Sequence, residues 1–253
     1  LQEDPVEEAH ELAAWQMPSK LSALDPADQK KLLARLTYPH RMPTLEAVPD
    51  FAAIKDTAKR KEAFFDYLQP FINRENSRLH KLRQQLLALQ QQQAQGQQFT
   101  LEEFAFVYSL FDEFKVDDQE ADAAGLKELL LRVDVIPDGL VLNQAAKESG
   151  WGSSRFAIEG FNFFGEWCFT SGCGIVPSSR GSGKSHEVKV FSSVDESVSS
   201  YMRNLNSNTA YALFRSIRAD LRSQELEPTA DQLIYGLVNY SERQEAYIDE
   251  LLD

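Results

Sequence analysis

The chain has 253 residues, 43% of them hydrophobic, which predicts a globular protein with a substantial core. Its formal net charge of -13 argues against binding to nucleic acid, which needs a basic face to neutralise phosphates, and favours neutral or cationic ligands. No apolar run reaches the length of a membrane span, and the chain begins without methionine, which fits a leader or membrane anchor that is missing from it.

The first hundred residues are predicted to form a proline-limited segment followed by one long helix. Six prolines in the first fifty residues keep any helix there short, such as one over 27–36, and we expect this segment to wrap around the rest. Apolar residues three or four positions apart predict a helix over 56–95, with a kink or boundary at Pro70. The glutamine-rich stretch at 90–98 predicts a solvated helix end and a loop, with an interaction tail as the alternative.

The middle of the chain is predicted to contain three further helices. Thr100 and Glu103 form a capping-box pattern that starts the first, and the second is expected over 119–132. The third begins near Asp138, buries an apolar face and stops at Gly150, because glycine readily adopts the left-handed conformation that ends helices.

The remaining sequence predicts a small β excursion followed by helices. After an aromatic and glycine-rich stretch, HEVKVF at 186–191 alternates apolar and polar residues and is the one convincing strand, expected in a small hairpin. Helical patterns then return at 194–206, 208–221, 229–239 and 243–252. The predicted fold class is therefore mainly α, of the α+β type.

Cys168 and Cys173 are the two cysteines of the chain, and only four residues separate them. Zinc would need two more ligands, and the histidines are scattered singly through the sequence, so we expect no metal site. A small-loop disulfide formed in an oxidising compartment is the favoured interpretation, and two reduced thiols are the alternative.

The sequence GSGKS at 181–185 invites comparison with a nucleotide-binding phosphate loop. Such a loop needs a glycine where Ser178 stands, a buried strand before it and an apolar helix after it, and these are missing. We therefore predict a flexible loop tip and no bound nucleotide. Arg180 and Lys184 remain candidates for contact with an anionic part of a ligand.

Glu148 occupies an unusual place for a surface charge. It lies in the last turn of the helix that ends at Gly150, and Trp151 follows closely. The negative end of the helix dipole and removal from water beside the indole should both raise the pKa of its carboxyl group. A raised pKa is the property of a general acid that protonates a glycosidic oxygen, and a structural hydrogen bond is the alternative role.

The segment around Glu148 resembles a known family. PDGLVLNQAAKESGWGSSRFAIEGFNFFGEWCF resembles the glucosaminidase domain of bacterial cell-wall hydrolases, in which an alanine-rich helix ends in Glu-Ser-Gly-Trp-Gly and an Asn-x-Phe-Gly turn follows. Two further stretches, WCFTSGCGIVPSSRGSGKSHEVKVF and FAAIKDTAKRKEAFFDYLQPFI, resemble the Bax-type branch of that family.

The resemblance implies a lysozyme-like fold, in which a helical lobe and a small β-hairpin lobe flank a groove. It divides the chain into an N-terminal helical extension, residues 1–118, and a glucosaminidase domain, residues 119–253. The implied activity is that of an endo-β-N-acetylglucosaminidase acting on peptidoglycan. A location in the periplasm or cell envelope goes with that substrate and with the disulfide.

The resemblance also assigns site residues. Glu148 matches the general acid, and Tyr240 matches a tyrosine near the cleaved sugar. The turn beneath the groove is matched by Asn162, Phe164 and Gly165, and a more peripheral tyrosine by Tyr211. For both tyrosines, a core aromatic residue with a hydrogen-bonded hydroxyl is the alternative. No cofactor is implied.

A second catalytic acid is expected on the β hairpin, and this chain departs from the family there. The corresponding strand, CGIVPSSR, has no carboxylate, which leaves Glu187 as the nearest candidate and Glu166 after it. For both, an exposed structural charge is the alternative. The 2-acetamido group of the substrate can replace a protein nucleophile, so that Glu148 acts first as acid and then as base.

Aromatic side chains offer stacking faces for sugar rings at Trp151, Trp167 and Phe169, although tryptophans at the border of a core are also common. Three functions remain open at this point. They are a peptidoglycan hydrolase that cleaves N-acetylglucosaminyl bonds, a lytic transglycosylase that needs one acid and no water, and a non-catalytic cell-wall-binding or scaffold protein.

Overall fold

The computed structural model describes residues 47–117, 120–178, 180, 183 and 185–237. The helices expected at 27–36 and 243–252 lie outside these ranges. Within them, no helix is both long and apolar enough to cross a membrane.

Helix α1 (Thr57–Ala94) is the spine of the fold. The Asp56 side chain caps its first turn by accepting a hydrogen bond from the Lys59 amide. The apolar residues on one face are buried, as the periodicity predicted: Phe64, Leu68, Phe71, Ile72, Leu79, Leu82, Leu86 and Leu89. The helix continues through Pro70, so a boundary there is wrong. Burial of the neighbouring apolar residues outweighs the lost backbone hydrogen bond.

The end of α1 lies where the glutamine tract predicted it. The helix stops at Ala94, and Gly96 follows with φ +73 in the left-handed region. Most side chains from 90 to 98 are exposed. The prediction of a solvated helix end is confirmed.

Helix α2 (Leu101–Glu113) begins with the predicted capping box, in which Thr100 and Glu103 each accept a hydrogen bond from the other's backbone amide. Helix α3 (Ala123–Arg132) begins later than the predicted residue 119. The reason is local, because the Asp122 side chain accepts hydrogen bonds from the first amides of α3 and thereby fixes the helix start.

Helix α4 (Asp138–Ser149) matches its predicted bounds, and a short helix, α5 (Arg155–Gly160), follows it. Gly150 ends α4 in the left-handed conformation, φ +57 and ψ +49, as predicted. The inner face of α4 belongs to the core and packs against α1.

The β region is a sheet of three very short antiparallel strands in the order β1-β3-β2: β1 (Trp167–Cys168), β2 (Gly174–Ile175) and β3 (Glu187–Lys189). Val188 pairs with Trp167 on one side and with Ile175 on the other. The sequence predicted β3 within 186–191. The prediction of a small hairpin was incomplete, because the sheet has three strands. Strands of two residues are too short to leave an alternating pattern.

The described C-terminal part is helical: α6 (Val194–Ser207), a 3-10 turn (Thr209–Tyr211), α7 (Ala212–Ser223), α8 (Ala230–Leu233) and a second 3-10 turn (Ile234–Leu237). The helix predicted over 208–221 therefore starts as a 3-10 turn, where the Asn208 side chain accepts a hydrogen bond from the Ala210 amide. The helix predicted over 229–239 is likewise an α turn followed by a 3-10 turn, and its last two residues lie outside the described ranges.

Most of the buried hydrophobic residues form one cluster that runs from Phe51 to Leu237. Helix α1 packs against α3, α4 and α6, so the described residues 47–117 share a core with the helices that follow. A buried arginine lies within this core. Arg218 is 1% exposed, and its guanidinium donates hydrogen bonds to backbone carbonyls, including that of Asp134. Burial lowers the pKa of Arg218 to about 10. The fold is mainly α with a small β lobe, as predicted, and the domain division at residue 118 stays a prediction.

Candidate active site

The Glu-Ser-Gly-Trp-Gly motif forms a sharp reversal at the end of α4. Gly150, Trp151 and Gly152 all have positive φ angles, of +57, +57 and +72. The Ser149 hydroxyl holds the turn by accepting a hydrogen bond from the Gly152 amide, 2.8 Å away. A side chain at Gly152 would also collide with Phe51, whose ring carbon lies 2.6 Å from the position of a Cβ atom. Glycine there is required by both conformation and space.

The half-buried Trp151 ring lies against α1. Its centroid is 5.7 Å from that of Phe64 and 5.4 Å from that of Phe65. The Lys61 ammonium lies over the ring at 4.8 Å from the centroid, within the range of a cation–π contact. Trp151 therefore anchors the turn to the helical core, and its role in stacking on a sugar stays a prediction.

Glu148 is exposed at the last turn of α4. The expectation that Trp151 removes this carboxylate from water is wrong, because Glu148 is exposed and the indole packs against Phe64 and Phe65 of α1. The position at the negative end of the helix is confirmed. An exposed carboxylate at a rigid helix end is accessible to a ligand, which is the geometric requirement for proton transfer.

The carboxylate of Glu148 lies over the Asn-x-Phe-Gly turn. A Cβ atom built on Gly165 would be 3.6 Å from the Glu148 Oε2 atom, and Gly165 itself has φ +68. The two parts of the motif, separated in sequence, therefore meet in space. Glycine suits this position because it combines the left-handed backbone with an uncrowded surface beneath the carboxylate.

Asn162 clamps this turn to the sheet. Its Nδ2 atom donates to the carbonyls of Glu166, at 2.9 Å, and Lys189, at 2.8 Å. Its Oδ1 atom accepts a hydrogen bond from the Glu166 amide at 3.1 Å. The residue is 1% exposed and its side chain contacts backbone, so Asn162 supports the turn, and its predicted part in substrate binding stays a prediction.

Phe164 is also a supporting residue, 3% exposed. Its ring stacks on that of Tyr201 with centroids 4.0 Å apart, and the Tyr201 hydroxyl donates to Gln144 on α4. The Phe164 side chain therefore joins the turn to helices α4 and α6, and its predicted part in substrate binding stays a prediction.

Glu166 follows the same turn, and its carboxylate is largely buried but contacts two polar side chains. Its Oε2 atom accepts a hydrogen bond from the Ser200 hydroxyl at 2.9 Å and lies 3.8 Å from the Lys189 ammonium. Burial raises the pKa of Glu166, and Lys189 and Ser200 counteract that rise. The sequence ranked Glu166 after Glu187, since nothing near it in the chain reveals this pocket.

Tyr211 connects the two carboxylates electrostatically. It is 7% exposed, and burial raises the pKa of its phenol to about 12, with further contributions from the negative charges of Glu166 and Glu148. A hydrogen bond with Asn204 acts in the opposite direction. Both glutamates therefore lie within interaction range of one phenol. Tyr240 lies outside the described residues, and its predicted place near the cleaved sugar stays a prediction.

The carboxylate of Glu187 is hydrogen-bonded to the backbone of the β lobe. Its Oε1 and Oε2 atoms accept hydrogen bonds from the amides of Gly172, at 3.1 Å, and Gly174, at 2.8 Å. These bonds lower the pKa of its carboxyl group. The residue is 6% exposed. This geometry favours a structural role over the role of second catalytic acid, for which the sequence made Glu187 the nearest candidate.

Cys168 and Cys173 form the favoured disulfide. Within the described ranges, the one cluster with metal-ligand spacing consists of these cysteines and Glu187. Because both sulfur atoms are used in the disulfide, the cluster offers a metal no thiolates.

The aromatic side chains of the sheet are exposed. Trp167 is 54% exposed and stacks on His186 with centroids 4.3 Å apart, and Phe169 is 72% exposed. Exposed aromatic faces suit sugar rings, although their contact with a ligand stays a prediction.

Arg180 donates to the His186 carbonyl at 3.4 Å, whereas Lys184 lies outside the described residues.

Comparison with known proteins bears on this site. The model of a family described as mannosyl-glycoprotein endo-β-N-acetylglucosaminidase matches residues 123–251. Protein Bax of Escherichia coli is 36% identical over 202 residues, which cover 79% of this chain and 70% of that protein. No solved structure matches the chain. The family match includes Glu148, Gly165, Glu166 and Tyr211, so the clustered residues all fall within it.

Proposed function

Because this chain belongs to the glucosaminidase family, we propose that it is a glycoside hydrolase that cleaves β-1,4 N-acetylglucosaminyl bonds in the glycan strands of peptidoglycan. The observation that carries the proposal is the placement of Glu148. An exposed carboxylate ends a buried, well-packed helix and lies over Gly165, 3.6 Å from the position of a Cβ atom there.

Glu148 supplies the proton in this mechanism. Its carboxyl group donates a proton to the glycosidic oxygen as the bond from that oxygen to the anomeric carbon breaks, so that the leaving sugar departs as a neutral alcohol. Helix α4 and the glycine turn hold the carboxyl group in place, which reduces the entropy lost on reaching the reactive geometry.

Cleavage of the glycosidic bond also needs a nucleophile at the anomeric carbon, and Glu187 is poorly placed to be one because backbone amides donate hydrogen bonds to both of its carboxylate oxygens. The 2-acetamido group of the substrate fills this role in the proposed mechanism. Its carbonyl oxygen attacks the anomeric carbon and closes a ring, and water then opens that ring while Glu148 takes a proton from the water.

The cell envelope is the proposed location. The Cys168–Cys173 disulfide supports an oxidising compartment, and peptidoglycan lies outside the cytoplasm. Neutral sugar rings, which can stack on the exposed side chains of Trp167 and Phe169, also suit a chain with a formal net charge of -13 better than a polyanion would.

The test is digestion of purified sacculi, with identification of the new chain ends by mass spectrometry. Hydrolysis at N-acetylglucosaminyl bonds produces reducing N-acetylglucosamine ends. Anhydro-muramic ends would show a lytic transglycosylase instead, and binding to sacculi without release of fragments would show a non-catalytic wall protein.

Two controls sharpen this experiment. The Glu148→Gln variant should release no fragments, whereas Glu159→Gln changes another exposed glutamate, on α5, and should behave as wild type. A high-mannose glycoprotein is the second substrate, chosen because the family description names that class. Cleavage of the glycoprotein without cleavage of sacculi would contradict the proposed substrate.

A further inference from the structure

Glu166 has one carboxylate oxygen without a hydrogen-bond donor. The Oε2 atom is served by Ser200 at 2.9 Å and by Lys189 at 3.8 Å. The Oε1 atom is buried and has no hydrogen-bond partner within the described part of the chain. A buried acceptor without a donor destabilises a folded protein, which is why such atoms are rare and call for an explanation.

The position of Glu166 suggests where a donor comes from. Glu166 directly follows Gly165, the residue over which the Glu148 carboxylate lies. The charges of both glutamates act on the phenol of Tyr211. The Glu166 side chain is 20% exposed, so it is not fully closed off from a ligand at this turn. The residue next to the one beneath the Glu148 carboxylate therefore carries the unsatisfied acceptor.

We propose that Glu166 is the second acidic group of the site and that its carboxylate accepts a hydrogen bond from the 2-acetamido N–H of the sugar whose bond is cleaved. This inference rests on the proposed function. It assigns to Glu166 the contact that Glu187, bound to the hairpin backbone, is not placed to make.

The chemistry of the substrate favours this donor. The acetamido group stands on the carbon next to the anomeric carbon, so a side chain one residue from Gly165 lies near it when Glu148 reaches the glycosidic oxygen. As the acetamido oxygen bonds to the anomeric carbon, the leaving oxygen takes the Glu148 proton and positive charge develops on the amide nitrogen. A carboxylate that holds this N–H stabilises that charge without taking the proton.

Two measurements test the assignment. The first is kcat/KM on sacculi for wild type, Glu166→Gln, Glu148→Gln and the control Glu159→Gln. The second is affinity for the thiazoline of N-acetylglucosamine, in which the acetamido-derived ring is already closed and the ring nitrogen carries the charge when protonated. Thermal unfolding of each variant shows that it is folded.

The Glu166→Gln variant should lose about tenfold to hundredfold in both quantities, the range expected for one hydrogen bond to a charged group. Thiazoline affinity, compared at a pH where the ring nitrogen is protonated and at a higher pH where it is neutral, separates this contact from a structural role, since a misplaced turn would weaken binding of both forms alike. Ser200→Ala is a second variant that leaves the carboxylate in place but frees its Oε2 atom, and it should weaken thiazoline binding by a few-fold.

The assignment is overturned if folded Glu166→Gln keeps wild-type kcat/KM while Glu148→Gln is inactive. It is also overturned if Glu166→Gln loses turnover but binds the thiazoline as tightly as wild type. Failure of the proposed function is a different result, in which wild type neither cleaves sacculi nor binds the thiazoline, and Glu166 then loses its role with it.

Discussion

The helical body and the small lobe of this protein are stabilised in different ways. The helical body, formed by α1 to α8, contains a continuous hydrophobic cluster from Phe51 to Leu237. In the small lobe, the described residues from 166 to 190, the one buried hydrophobic side chain is that of Val188. The small lobe depends instead on the Asn162 clamp, the disulfide and the Glu187 carboxylate.

This difference teaches how stability and site placement are divided in the molecule. The proposed acid, Glu148, ends a helix whose inner face is deep in the core, so its backbone position is set by many apolar contacts. The small lobe depends instead on a few hydrogen bonds and one disulfide. Changes to those links are therefore expected to disturb the lobe locally, whereas Glu148 is expected to be exchangeable without loss of stability.

The largest expected effect is the loss of chemistry at Glu148, an exposed residue at the end of α4. Glu148→Gln keeps the shape of the side chain but delivers no proton, so kcat on sacculi should fall by about a hundredfold to ten-thousandfold. Because Glu148 is exposed, the free energy of unfolding in urea should change by less than about 0.5 kcal/mol. Near wild-type turnover in this variant would remove the central assignment.

The next effect tests the clamp between the two regions. Asn162→Ala removes three hydrogen bonds from the turn and strand β3, while the Glu166 carbonyl keeps the Lys189 amide as a partner, and this should lower the free energy of unfolding by about 2–4 kcal/mol. Urea denaturation measures the loss. Asn143→Ala changes an exposed asparagine on α4 and is the matched control. Equal stability of the two variants would show that the clamp is unimportant.

The disulfide should matter for the small lobe more than for the helices. The Cys168→Ser, Cys173→Ser double variant loses the closure of a loop with a sequence separation of 5, worth about 2 kcal/mol in the chain-entropy model. Hydrogen exchange should rise at 167–190 and stay unchanged in α1 and α4. Uniform acceleration through the helical body would contradict the division of the two regions.

The smallest effect is expected at Glu187 and depends on pH. The Gly172 and Gly174 amides lower the pKa of the folded-state carboxyl, so its ionised form stabilises the lobe above the ordinary glutamate pKa of about 4.3. This stabilisation disappears as the pH falls through the lowered pKa. Glu187→Gln should therefore reduce the Tm at pH 7 and match wild type in strong acid.

Activity of the same variant decides between two roles for Glu187. A structural carboxylate predicts a modest loss of kcat/KM at pH 7, with Glu159→Gln unchanged. A loss as large as that of Glu148→Gln, in folded protein, would make Glu187 the second catalytic acid and break the assignment of Glu166.

Much of the helical body could be predicted from the sequence. Eight apolar residues at helical spacing located α1, and Gly150 marked the end of α4, because local periodicity and backbone preference decide such features. The sheet was underestimated, since strands of two or three residues carry no period. The environment of Glu148 was mispredicted because proximity to Trp151 in sequence did not reveal that the indole packs on α1.

By itself the sequence determined the helical architecture, the family and the identity of Glu148 as the candidate acid, because these depend on residues close together in the chain. Which other carboxylate we propose to join it depends on the tertiary structure. Glu166 and Glu187 are both glutamates beside a glycine-rich turn or strand, but Ser200 and Lys189 surround one and the Gly172 and Gly174 amides bind the other. The free energy of a charge depends on its surroundings, and those are assembled by folding from distant parts of the chain.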